Sequence, residues 1–110
     1  MSTKLTFDDL MAEVEEAYKA VVFEGPGGVV FNLRAVPVLP RHERQTVVEA
    51  VTTVNNSEAD ANAQEDAIDT VLLAVVDKPE EFKPVLDTLP LGAKATLIKA
   101  WGQETQAPEA

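Results

Sequence analysis

The sequence predicts a mainly α fold with a small β-hairpin: an N-terminal helix and the hairpin first, then a small C-terminal helical bundle. Three observations lead there. Apolar residues recur at spacings of three and four in several separate stretches. A Gly25-Pro26-Gly27-Gly28 turn lies between two short β-branched runs, and prolines stand where one pattern gives way to the next. At 110 residues the chain has the size of a single small domain. That domain is expected over residues 1–103, with a disordered tail over 104–110, where Pro108 and polar residues dominate.

The first helix is predicted over 7–20. Thr6 can cap it, Asp9 stands at its third position in a capping-box-like arrangement, and Asp8 and Asp9 suit the positive end of the helix dipole. Phe7, Leu10, Met11, Val14, Ala17, Tyr18 and Val21 form one apolar stripe, while Asp8, Glu13, Glu15, Glu16 and Lys19 take the other side. Such a stripe seeks a core or a partner's groove. A hairpin is predicted over 21–33, from Val21-Val22-Phe23 through the glycine turn to Val29-Val30-Phe31-Asn32-Leu33. Two strands alone are marginal in water, so they require cover from a helix, or a third strand from another copy or a partner.

Pro37 and Pro40 hold 35–39 extended, and a helix over 40–55 presents Val47, Val48, Val51 and Val54 on one side. Its first turns gather the basic residues Arg41, His42 and Arg44, and Arg41 and Arg44, poorly placed against the helix dipole, are expected to pair with acids of the first helix or of a partner. A small, polar, acidic linker is expected over 56–65. Helices then fill 66–103. Ala67, Ile68, Val71, Leu72, Val75 and Val76 line one face up to about Lys78. Pro79 forces a break before a short helix with Phe82, Val85, Leu86 and Leu89, and Pro90 and Gly92 precede a last helix with Ala95, Leu97, Ile98 and Trp101.

Lys and Arg number 9 against 19 Asp and Glu, a formal net charge of −10, so phosphate backbones are hostile partners and nucleic-acid binding is not expected. The chain holds no cysteine, which removes disulfides, thiolate metal sites and thiol nucleophiles. The longest apolar run, Val71 to Val76, is far too short to cross a bilayer, and no signal-peptide core precedes it, so a soluble, unexported chain is expected.

Catalytic patterns begin and fail. His42-Glu43 starts like a zinc-protease motif, but position 46 is Thr and His42 is the only histidine; nothing places Ser2 or Ser57 beside it as a nucleophile. Asp60, Asn62 and Gln64 alternate like the opening of a calcium loop, yet Glu65 stands where glycine is needed and Val71 where the bidentate acid belongs. The glycine turn lacks the Lys and Ser/Thr of a phosphate loop. Catalytic, cofactor-binding and metal residues are accordingly expected to be none.

Five segments together carry a likeness: an acidic helix ending in tyrosine (DDLMAEVEEAY), a short hairpin (VVFEGPGGVVFNLR), a Leu-Pro-Arg step into a helix (VLPRHERQTVVEAV), an acidic linker, and C-terminal helices closing on AWGQETQ. This layout resembles tail assembly chaperones of long-tailed bacteriophages, especially those infecting actinobacteria. The resemblance implies a non-catalytic protein of the infected host's cytoplasm, absent from the mature virion, which binds and solubilises the tape measure protein while tail tube subunits polymerise. It also implies a longer product made by ribosomal frameshifting, whose extension recruits the tail tube protein. Self-association through the hairpin edge or the first helix would let copies line up along the client. Leu72, Val76, Phe82, Leu86 and Trp101 are the partner-binding candidates. The alternatives are an acidic adaptor or regulator that occupies a basic protein surface, and a small enzyme subunit whose site another chain would complete.

Overall fold

The computed structural model describes residues 4–56 and 58–105; Ser57, the first three residues and 106–110, most of the expected tail, lie outside the described residues. In chain order the elements are α1 (Phe7–Ala17), β1 (Val21–Glu24), a 3₁₀ turn (Pro26–Gly28), β2 (Val30–Leu33), a second 3₁₀ turn (Val36–Val38), α2 (Arg41–Val54), α3 (Ala61–Val75), α4 (Pro79–Thr88) and α5 (Leu91–Thr105). The chain is mainly helical with one antiparallel hairpin, as the periodicity predicts.

Thr6 caps α1, its hydroxyl oxygen accepting from the Asp9 N–H at 3.1 Å. The helix ends three residues before the pattern does, because Val21 must enter the ladder opposite Leu33 and Tyr18 leaves helical geometry to bring it there. The hairpin pairs Val21 with Leu33 and Phe23 with Phe31. Gly27 and Gly28, at φ 74° and 80°, make the left-handed turn that a side chain would strain.

Cover for the outer edge of β2 is supplied by the chain itself, through a single bridge and not a third strand. Leu33 forms a β-bridge with Val76, the Arg34 N–H donates to the Val75 carbonyl at 3.0 Å, and the Asp77 N–H donates to the Asn32 carbonyl at 3.0 Å. Asp77 also accepts from the Asn32 main-chain N–H and side-chain amide, both at 2.9 Å, and Lys78 Nζ donates to the Val30 carbonyl at 3.1 Å. The outer edge of β2 is thereby closed. The main-chain groups of Val22 and Glu24, which face away from β2, have no partner among the described residues.

α2 and α3 fold back on each other, and α3 is the centre of the molecule, touching α2, α4, α5 and β2. It buries Ala67, Ile68, Val71, Leu72 and Val75. The expected linker is shorter than 56–65, because α3 starts at Ala61. Asp60 Oδ1 caps α3 by accepting from the Ala63 N–H at 2.7 Å, and Asn56 accepts from the Glu58 N–H through its side chain and from Gln64 Nε2 through its carbonyl. Periodicity missed this first turn because Ala61 and Asn62 face solvent. At its far end α3 stops at Val75, where Val76 becomes extended to join β2 and Pro79 restricts Lys78.

Phe82 of α4 meets both hairpin aromatics edge-on, its ring 5.1 Å from Phe31 and 6.0 Å from Phe23. Lys94 straps α5 to α3. It is 4% exposed, with Nζ 2.8 Å from Glu65 Oε2 and 3.0 Å from Asp69 Oδ1. Burial would lower its pKa, but bonds and charge from both carboxylates outweigh burial and raise it above the ordinary lysine value, so the strap stays ionised.

Candidate interaction surface

α2 and α5 diverge over the core and leave an open groove of about 880 Å³. Val48 and Val51 line one wall, Ile98 and Trp101 the other, and Val36 and Pro37 of the second 3₁₀ turn close one end. Val48 is 55% exposed. Among the described residues that line the groove none carries a carboxylate, and the single charged group is Lys99. In a chain with 19 acids against 9 bases that is a marked departure from the rest of the surface. Such a groove accepts the apolar face of a helix better than a polar ligand, since it offers area and few convergent polar groups.

A second apolar surface lies on α1. This helix contains no buried residue, and Leu5, Phe7 and Leu10 are exposed, Phe7 by 75% and Leu10 by 46%. Its main packing is against the Val36–Val38 turn, with Tyr18 and Glu15 beside a small cleft that Arg34 and Asp77 also line. The stripe predicted from spacing is split: Met11, Val14, Tyr18 and Val21 are half-buried, and Phe7, Leu10 and Ala17 are exposed. Val22, Val29 and Val30 add exposed apolar surface on the hairpin.

Four of the five partner-binding candidates lie away from the groove. Leu72, Val76, Phe82, Leu86 and Trp101 are all buried in the chain's own core. Leu72 belongs to the face of α3 that the other helices cover, Val76 is committed to the bridge with Leu33, and Phe82 and Leu86 hold α4 in place. Only Trp101 borders the groove, and its Nε1 donates to the Arg34 carbonyl at 2.8 Å. A folded chain has none of the other four to offer a partner.

Arg34 is the residue that spacing alone does not single out. Its Nε and Nη2 donate to the carbonyls of Val75 and Ala74 at 3.0 and 3.2 Å, closing the C-terminal end of α3, and Nη2 lies 3.5 Å from Glu43 Oε2 of α2. The expected pairing of Arg41 and Arg44 with acids of α1 gives way to this arrangement; Arg44 reaches the Leu39 carbonyl at 3.5 Å instead.

His42 is exposed on the first turn of α2, and Ser2 and Ser57 lie outside the described residues. Asp60, read in the sequence as a failed calcium-loop opening, is the α3 cap. Among the described residues no three His, Asp or Glu side chains converge as a metal site, and no helix is long and apolar enough to cross a membrane. Compared with protein-family models, with curated proteins and with solved structures, the chain matches none.

Proposed function

We propose that this protein is a non-catalytic tail assembly chaperone, which takes an amphipathic helical segment of the tape measure protein into the groove between α2 and α5 and keeps that client soluble in the host cytoplasm. The observation that carries the reading is the groove itself: apolar walls, no carboxylate among the described residues that line it, and Val48 exposed. A tape measure protein is a long helical chain with apolar stripes, and its stripes need cover until tube subunits enclose them. The net charge of −10 keeps coated clients apart. A frameshifted longer product carrying the tail tube protein to the same client fits this arrangement.

Co-expression with the tape measure protein of the same genome tests it. The client is expected in the soluble fraction and in complex with the chaperone, and Val48→Glu is expected to abolish both effects, because it sets a carboxylate against an apolar stripe. A client equally soluble without this protein overturns the proposal. Binding that vanishes in raised salt yet ignores Val48→Glu favours the acidic adaptor, for which the exposed acids of α1 are the surface.

A further inference from the structure

We infer that the free protein is a reciprocal dimer in which α1 of each copy lies in the α2/α5 groove of the other. The inference deepens the reading above and rests on the same groove, which it makes self-occupied until a client displaces α1.

Two apolar surfaces of one chain are complementary in kind. α1 is a helix with no buried residue, whose Phe7 and Leu10, with Leu5 ahead of them, are exposed while Val14 is half-buried, and the groove is an open trough with Val48, Val51 and Ile98 on its walls. Their charges match as well. The stripe is flanked by Asp8, Asp9, Glu13 and Glu15, and among the described residues that line the groove there is no carboxylate and one cation, Lys99. An acidic helix would be repelled by most of this chain's exterior and is not repelled there.

Reach and area favour exchange in both directions. The Val36–Val38 turn packs against α1 and also closes the groove with Val36 and Pro37, so the two surfaces adjoin through one short segment. A two-fold pairing then needs no long arm. One 11-residue helix laid in a groove buries on the order of 400 Å² on each side, about 800 Å² in all, which is the scale of a packing contact. Two such insertions reach the ~1,600 Å² of a standard specific interface. A closed isologous pair also avoids the open filament that one-way insertion would generate.

Sedimentation velocity on the full chain, without client, tests this. The wild type is expected to be a dimer. Leu10→Glu and Val48→Glu alter exposed positions, so helical circular dichroism is expected to persist while each variant's dimer weakens by at least about a hundredfold. Mixing the two variants restores one intact insertion, α1 of the Val48→Glu copy in the groove of the Leu10→Glu copy, so the mixture associates more tightly than either variant alone. A monomeric wild type, a dimer indifferent to both substitutions, or a mixture no tighter than its components overturns the inference. Client binding enters none of these readings: a dimer that fails to bind client sinks only the proposed function, and a monomer that binds client through Val48 sinks only this inference.

Discussion

Asp77 joins the hairpin to the end of α3 through one carboxylate, and its titration reports on that joint. Partial burial pushes its pKa up, but the Asn32 side-chain amide and main-chain N–H, with the charge of Lys78, outweigh burial and hold the carboxyl below its ordinary value. A carboxyl with a lowered folded pKa stabilises the fold fully above its unfolded value, near pH ~3.9, and that stability drains away as pH falls through the folded value. Wild type is therefore expected to melt above Asp77→Asn at neutral pH, with the gap closing below about pH 4. Thermal melts of both proteins from neutral to acid check it. A gap of constant size would remove the carboxylate's ionisation from the stability of this joint.

Helix ends are decided by partners that lie far away in sequence. α3 closes its last carbonyls on Arg34, 40 and 41 residues earlier in the chain, and the same guanidinium meets the buried Oε2 of Glu43. Arg34→Met removes both bonds and leaves Glu43 without its cation, at an expected cost of about 2 kcal/mol and a fall of about 8 °C in Tm. Arg34→Lys is expected to recover less than half, since an ammonium cannot fork across two adjacent carbonyls. Calorimetry on the two variants checks both values, and a full rescue by lysine would reduce Arg34 to a point charge. The same long-range dependence sets what the sequence discloses. The hairpin and every helix are legible because period, glycine turn and proline breaks are local. The start of α3 is not, because its capped first turn faces water and carries no apolar period. Its end is not, because Val76 leaves the helix for a strand 43 residues away. Burial is legible only as a face: Val47 and Val48 belong to the same predicted stripe, yet one is fully buried and the other more than half exposed. Periodicity tells that Phe7 and Phe82 each want cover and is silent on which body provides it, so the candidate partner residues landed in the core.

The molecule as a whole is a compact body with one loosely attached helix. Its radius of gyration, 15.3 Å, exceeds the ~13 Å usual for a chain of this length, and its longest extent is 57 Å against a shortest of 23 Å. α1 contributes no buried residue, whereas α3 and α4 supply much of the core. Local stability follows buried contact, so α1 occupies the low end of the range and α3 the high end. Trypsin is then expected to cut first after Lys19, an exposed residue of the connection between α1 and β1, and to leave a body that melts within about 5 °C of the intact chain. Mass spectrometry of a brief digest followed by a melt of the product checks this. If cleavage there instead unfolds the remainder, α1 belongs to the cooperative core and its exposed stripe is no spare surface. Protein concentration separates the two roles of that stripe. A helix seated in a second copy is shielded, so cutting at Lys19 slows as the chain is concentrated, while a helix that waits only for a client is cut at the same rate at every concentration.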